Sequence, residues 1–202
     1  MRLLRDCSLA LLLAGAACRW MGPPPGEKIY AAREVGLTLI YENPQLEPQA
    51  RKDERLQVRV AATKETEAGT AVRTTYTSLK GEDSTLIFQK KGGVFLSQDG
   101  QTPGLVVMPA GFPDQVALWE LRGTTFRVLG RATADLHGLK LPEIADKVGV
   151  WVESQTPQGL RQRTFFLPEI GEVETLVWRE GAWLSINRLV SRGFTDAPSA
   201  RE

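Results

Sequence analysis

Three carboxylates near the end of the 202-residue chain have a spacing that could support acid–base chemistry. They are Glu169, Glu172 and Glu174, and the last two lie two residues apart, which in an extended strand would place both on one face. A pair of carboxyl groups that flanks a sugar linkage can hydrolyse it, one group acting as acid and the other as base or nucleophile. One interpretation of this region is therefore a carboxylate-dependent hydrolase.

The same region also has a structural interpretation, which we favour. Across a predicted hairpin, Arg163 would face Glu174, or Arg161 would stack on Trp178, depending on the register of the two strands. Cross-strand ion pairs and arginine–aromatic contacts are common stabilising features of exposed sheet faces. We therefore predict no catalytic residues here.

Other catalytic and metal-binding patterns are weak or missing in the sequence. The single histidine, His137, follows Asp135 in a predicted turn, and a catalytic histidine needs a nucleophile and an orienting acid brought together by the fold. One histidine cannot build a histidine-rich metal site. The sequence contains no Gly-x-Ser-x-Gly motif and no glycine-rich phosphate loop. We predict a protein that is not an enzyme and has no metal and no cofactor.

Four tryptophans in predicted strands are the candidate ligand-binding residues. A concave aromatic face could hold an acyl chain or a glycan, whereas the commoner role of a strand tryptophan is to fill the core. The candidates are Trp119, Trp151, Trp178 and Trp183.

The start of the chain has the pattern of an export signal. Arg2 and Arg5 precede an apolar run at 8–17, which is too short to span a bilayer as a permanent helix. Small residues then lead to Cys18, as in bacterial lipoprotein signals, where the cysteine becomes lipidated and N-terminal. We predict a signal peptide at 1–17 and lipidation of Cys18.

The predicted anchor sets the location of the protein. Residues 18–30 are rich in glycine and proline and would form a tether between the lipid and the folded domain. In lipoproteins an acidic residue after the cysteine favours retention in the inner membrane, and Arg19 is not acidic, so we predict the outer membrane, facing the periplasm. Simple cleavage after Ala16 or Ala17 is the alternative and would give a soluble periplasmic or secreted protein.

Composition excludes one further class of partner. Lys and Arg total 25 and Asp and Glu total 24, so the net charge is +1. A dedicated nucleic-acid-binding protein needs a basic face to neutralise phosphates, and we predict no nucleic-acid partner. The remaining partners are a membrane through the lipid anchor, and an apolar ligand or an envelope protein.

The rest of the chain is typical of strands. All valine, isoleucine and threonine residues lie after position 28, and glycine-containing turns separate short apolar runs. The pattern predicts an all-β, mainly antiparallel fold, as a curved sheet, half-barrel or sandwich of about 10–12 short strands, with helix limited to the N-terminal signal and to short segments at 30–34 and 142–147. The domain would span 31–192, followed by a disordered tail at 193–202. The predicted strands are about 36–42, 56–63, 70–79, 84–90, 93–98, 104–108, 115–121, 125–134, 148–155, 160–167, 172–179 and 182–190.

Two stretches resemble a known group of proteins. Tyr30 to Tyr41, with Gly36 between them, resembles an opening hairpin, and Arg163 to Glu174 resembles a closing strand pair of uncharacterised bacterial envelope lipoproteins with a β-rich domain. The stretch Phe126 to Ala132 fits the same order. The resemblance implies a domain loosely similar to the half-barrel of lipoprotein-carrier proteins, and it implies no catalytic residues.

These observations predict a lipid-anchored envelope protein with a non-catalytic β-rich domain that binds a partner or has a structural role. The first alternative is a carrier of an apolar ligand, such as an acyl chain or a lipoprotein. The second alternative is the carboxylate-dependent hydrolase.

Overall fold

The computed structural model describes residues 28–67, 69–134 and 141–195, which form twelve strands and one short helix. Valine, isoleucine, threonine and aromatic residues dominate the strands, as expected for side chains that fit a pleated surface. The elements are β1 (Leu37–Glu42), α1 (Pro48–Asp53), β2 (Leu56–Thr66), β3 (Gly69–Ser78), β4 (Gly81–Lys90), β5 (Gly93–Leu96), β6 (Val106–Met108), β7 (Leu118–Leu121), β8 (Thr124–Thr133), β9 (Val148–Gln155), β10 (Arg161–Leu167), β11 (Gly171–Arg179) and β12 (Ala182–Phe194).

All twelve strands belong to one antiparallel sheet, in the order β6-β5-β4-β3-β2-β1-β12-β11-β10-β9-β8-β7. Each half of the chain forms a meander of neighbouring hairpins, and the two meanders join where β1 pairs with β12. The predicted all-β antiparallel class and the number of strands are confirmed.

The sheet curls until its two edge strands approach each other, which gives a nearly closed barrel. The indole Nε1–H of Trp119 on β7 donates a hydrogen bond of 3.2 Å to the carbonyl oxygen of Val107 on β6. Around this seam, Trp119 stacks on Phe126 with ring centroids 5.1 Å apart, and its edge contacts Phe112 at 5.5 Å. Side chains therefore connect the two edges.

Strand alternation separates an inner and an outer face. The predicted shared face of Leu56, Val58 and Val60 is confirmed, because Leu56 and Val58 line the barrel interior and Val60 is buried. On β9, Val152 faces the interior, whereas Trp151 lies on the outer face against Phe165. Apolar side chains also pack on the outer face near β9 and β10, because Leu141 and Ile144 from the β8–β9 connection belong to the same hydrophobic cluster as Phe165.

An irregular segment before β1 closes one end of the barrel. The carbonyl oxygen of Ile29 accepts a hydrogen bond from the Glu169 amide at 2.7 Å, and that of Ala32 accepts one from Gln89 Nε2 at 3.3 Å. Tyr30, between them, is 1% exposed. We call residues 28–36, which make these contacts with the ends of β4 and β11, the floor segment.

The folded domain extends beyond both of its predicted limits. The folded domain includes Ile29 and Tyr30, before the predicted start at 31, and β12 continues to Phe194, beyond the predicted end at 192. The predicted signal peptide, its helix, Cys18 and His137 lie outside the described residues.

The helix predictions at 30–34 and 142–147 were wrong. Residues 30–34 form an irregular segment with bends at Ala31 and Glu34. Residues 142–147 form successive turns, in which the amides of Ile144 and Lys147 each bond the carbonyl three residues earlier at 3.0 Å. The one described helix, α1, lies instead in a connection that the sequence analysis left without structure. Pro48 at its first position is the signal that could have revealed it.

The two stretches that carry the resemblance differ in how well they were predicted. Tyr30 to Tyr41 contains one strand rather than a hairpin, since β1 begins at Leu37, whereas Arg163 to Glu174 forms the paired ends of β10 and β11 as predicted.

Within the described residues, no helix combines the length and the apolar composition needed to cross a bilayer.

Candidate functional site

The barrel encloses a cavity of about 290 Å³. Every strand contributes at least one inward side chain to its wall, and Tyr30, Ala31 and Ala32 of the floor segment close one end. Leu56 and Leu121, at strand termini on the opposite rim, also line it, so the cavity runs the height of the barrel. The other wall residues are Leu39, Tyr41, Leu56, Val58, Thr74, Tyr76, Ile87, Val94, Val107, Met108, Trp119, Leu121, Phe126, Val152, Ser154, Thr164, Phe166, Ile170, Gly171, Glu172 and Asn187.

The wall is mostly apolar, and some of its polar groups form a hydrogen-bonded network around one carboxylate. Glu172 Oε1 accepts a hydrogen bond of 2.7 Å from Thr175 Oγ1 and one of 2.9 Å from Asn187 Nδ2. Thr164 on β10 extends the network through a hydroxyl contact of 3.2 Å with Thr175. We call these four residues the Glu172 cluster. It is assembled from three neighbouring strands and therefore depends on their register.

Two tyrosines surround the cluster. The Tyr41 hydroxyl donates a hydrogen bond of 2.7 Å to the backbone carbonyl of Glu172, which fixes the strand behind the carboxylate. Burial raises the pKa of Tyr41 well above its usual value, and the negative charge of Glu172 adds to this shift. Burial and the same carboxylate also raise the pKa of Tyr76, against the opposing hydrogen bond with Thr85. Both phenols therefore remain protonated at physiological pH.

The cavity wall includes one carboxylate, that of Glu172. Of the described residues that line the cavity, Glu172 alone carries a charge. The two hydrogen bonds that Thr175 and Asn187 donate to its carboxylate both end on Oε1. The cavity can therefore offer an apolar wall and one strong acceptor to a bound molecule.

A β-bulge places Glu172 and Glu174 on opposite faces of the sheet. Phe165 pairs with Glu174 and Phe166 pairs with Glu172, so Val173 is an extra residue in β11. Glu172 points into the cavity, whereas Glu174 is 2% exposed on the other face and accepts from Arg188 Nε at 2.8 Å. The prediction that the two carboxylates share a face was wrong, because period-two alternation fails at a bulge. Glu169 lies in the exposed turn before β11.

The four candidate tryptophans occupy three separate positions in the barrel. Trp119 lines the cavity. Trp151 packs on the outer face against Phe165, with ring centroids 5.1 Å apart. Trp178 and Trp183 are cross-strand neighbours on the outer face, 5.3 Å apart. The structure thus brings two of them together, and only Trp119 reaches the internal site among the four.

The outer pair belongs to a cluster of arginines. Arg161 lies over Trp178 at 5.7 Å, as one of the two predicted registers requires, and Arg163 lies over Trp183 at 4.2 Å. The other register, with Arg163 facing Glu174, is not formed. Instead, the Glu153 carboxylate accepts hydrogen bonds from Arg161 at 3.2 Å and from Arg163 at 2.9 Å.

Glu153 is expected to make stability depend on pH. Its burial tends to raise its pKa, but the hydrogen bonds from Arg163 and Arg161 outweigh this and hold the pKa below its usual value. A carboxyl group with a depressed folded-state pKa contributes stability above its unfolded value of about 4.3, and the contribution is lost as pH falls through the folded value.

We therefore expect Glu153→Gln to cost about 1 kcal/mol near neutral pH, because its arginine partners are partly exposed. The gap between wild type and variant should close as the pH falls below about 4. Urea titrations at several pH values measure it, with the exposed Glu120→Gln on β7 as the control. A gap that stays constant with pH would contradict the assignment.

Five site residues were not predicted from the sequence: Thr164, Thr175, Asn187, Tyr41 and Tyr76. Asn187 is a polar residue inside the predicted strand at 182–190, and this was the one feature of the sequence that could have indicated it. Its partner could not be identified, because the bulges in β11 and β12 set which residues meet.

Comparison with solved structures finds two similar chains. One is a Bacteroides fragilis NCTC 9343 protein described as a predicted exported protein with a YmcC-like fold; it is 14% identical, has a TM-score of 0.49, and the match covers 82% of this chain and 99% of that one. The other is a predicted lipoprotein from Parabacteroides distasonis ATCC 8503, 12% identical with a TM-score of 0.47, and the match covers 84% of this chain and 100% of that one.

Comparisons of sequence give no further relative. No protein-family model matches the chain, and no curated protein matches it.

Proposed function

We propose that this protein is an exported envelope protein whose barrel binds a small, largely apolar molecule in its internal cavity. The observation that carries the proposal is the cavity itself, with a mostly apolar wall built from every strand and one carboxylate in a hydrogen-bonded cluster. Ligand sites in proteins have this composition, and the interior of a β-barrel is a common place for them.

The volume limits what could fit. A cavity of about 290 Å³ is near the lower end of ligand pockets, which span roughly 300–1,000 Å³. It has room for roughly ten water molecules at about 30 Å³ each. A single short alkyl chain or two small linked ring systems fit this space, whereas a whole diacyl lipid does not. The narrower form of the proposal is thus a carrier of one chain rather than of a lipoprotein.

Binding is favoured over carboxylate catalysis by the placement of the acidic residues. A paired-carboxylate hydrolase needs both groups beside the same bond, at separations of about 5–10 Å across the substrate. Glu172 lies inside the barrel and Glu174 is ion-paired on the outer face, so these two residues do not share a substrate site. The Glu172 carboxylate is instead suited to orient a bound molecule.

Export and lipid anchoring rest on the sequence. The basic start, the apolar run and Cys18 support a lipoprotein signal. Incorporation of labelled palmitate that disappears in Cys18→Ala would support the anchor, and secretion of soluble, lipid-free protein would contradict it. Because the floor segment follows the proposed tether, the rim with Leu56 and Leu121 would face away from the membrane.

Uptake of an uncharged fluorescent probe tests the binding function. N-phenylnaphthylamine should bind the wild type at a single site with enhanced fluorescence. Val58→Trp fills the cavity wall and should weaken binding about tenfold or more, whereas Gln57→Trp, the adjacent residue on the opposite face of β2, should leave it unchanged. Circular dichroism and melting curves check that both variants fold. Equal binding by both, or no binding by the folded wild type, would overturn the proposal.

A further inference from the structure

We infer that the ligand of the cavity carries a protonated amine that pairs with Glu172. This inference rests on the proposed function and names the chemical class of the ligand: a small apolar molecule with one cationic, hydrogen-bond-donating group. The juxtaposition behind it is one carboxylate, held at Oε1 by two neutral donors, in the wall of an otherwise uncharged cavity.

Glu172 is half-buried in a mostly apolar wall. Moving a carboxylate from water into apolar surroundings is unfavourable unless hydrogen bonds and an opposite charge compensate. Thr175 and Asn187 supply two hydrogen bonds, but both donors are neutral. A ligand ammonium beside Oε2 would supply the missing positive charge and a charge-assisted hydrogen bond.

Neighbouring residues hold the Glu172 carboxylate in place. Thr175 and Asn187 hold the carboxylate from one side, and the Tyr41 hydroxyl fixes the backbone of Glu172. The site is therefore organised before any ligand arrives, which lowers the ordering cost of binding. Tyr41 and Tyr76 also place aromatic rings in this part of the wall, and aromatic faces attract cations.

The same carboxylate disfavours anionic ligands. A fatty-acid carboxylate or a phosphate in the cavity would bring a like charge close to Glu172 beside a mostly apolar wall, and the two charges would repel each other. A neutral alcohol could donate one hydrogen bond to Oε2 but would leave the charge of Glu172 uncompensated. The expected order of affinity is amine, then alcohol, then acid.

Three probes of equal chain length test this order: octylamine, octan-1-ol and octanoic acid, each displacing N-phenylnaphthylamine at neutral pH. The wild type should bind octylamine about tenfold or more tightly than octan-1-ol, the ratio expected for a hydrogen bond to a charged group. Octanoic acid should bind more weakly than the alcohol.

Glu172→Gln isolates the charge, because a glutamine oxygen can still accept from Thr175 and Asn187. The variant should lose the preference for octylamine while it keeps its affinity for octan-1-ol within about threefold. Glu169→Gln, in the exposed turn before β11, is the matched control and should behave as wild type. Melting curves show whether each variant is folded.

The outcomes separate the two proposals. If the alcohol binds but the amine has no advantage, or if Glu172→Gln keeps the amine preference, the inference is overturned and the binding function remains. If the acid binds as tightly as the amine, the inference is likewise overturned. If N-phenylnaphthylamine binds the folded wild type but none of the three probes displaces it, the inference is overturned and the binding function remains. If N-phenylnaphthylamine itself does not bind, both the inference and the proposed function fail.

Discussion

Replacing Arg188 with Met is expected to lower the free energy of unfolding by about 3–5 kcal/mol, the cost of leaving a buried charge without its partner. Glu174 is 2% exposed, and Arg188 donates to its Oε1 from Nε at 2.8 Å and from Nη2 at 2.7 Å. A methionine keeps much of the volume of the arginine stem but supplies no donor. Urea-induced unfolding followed by tryptophan fluorescence measures the loss.

A double variant separates the charge from the packing. With Glu174→Gln added to Arg188→Met, the buried group is neutral, so the double variant should recover more than half of the lost stability. Glu42→Gln is a suitable control for the loss of a nearby carboxylate, because Glu42 pairs across strands with Arg188 but bonds Arg55 instead. A cost below about 1 kcal/mol for Arg188→Met would mean that water reaches Glu174.

Trp119→Ala is expected to have an effect of similar size, about 3–5 kcal/mol, and also to weaken binding in the cavity. The variant removes the stacked ring beside Phe126, the edge contact with Phe112 and the hydrogen bond to Val107, which together connect the two edges of the sheet. The cavity wall would then open at the seam. Thermal unfolding and titration with N-phenylnaphthylamine measure the two effects.

Trp119→Phe distinguishes packing from hydrogen bonding at the same position. It keeps an aromatic ring against Phe126 and loses the indole donor, so a cost of about 1 kcal/mol is expected. If the alanine variant costs no more than the phenylalanine variant, the ring of Trp119 does not hold the two edges together.

Local sequence patterns were sufficient to predict most strands, because each strand is defined by its own alternation and its own turns. β9 illustrates this, since Val150 and Val152 face inward while Trp151 faces outward, as their order in the sequence requires. The sheet order was not predictable in the same way. The pairing of β1 with β12 brings Leu37 beside Phe194, and no local signal connects residues so far apart.

The candidate site was only partly predictable, and for a specific reason. The sequence indicated Glu172 as a residue with chemical potential, but strict alternation assigned it to the same face as Glu174. The bulge at Val173 reverses that assignment, and the pairing of Thr175 with Asn187 then completes the cluster. Bulges depend on how neighbouring strands twist together, so one strand's sequence does not reveal them.

The sheet order also has a consequence for synthesis of the chain. The first strand made, β1, sits in the middle of the finished sheet, and its second neighbour is the last strand made, β12. While the chain is still being completed, the β1–β6 meander therefore has an uncovered hydrogen-bonding edge along Leu37–Glu42. Such an edge recruits other extended chains, so the nascent protein is most vulnerable to aggregation until its final thirteen-residue strand arrives to cover it.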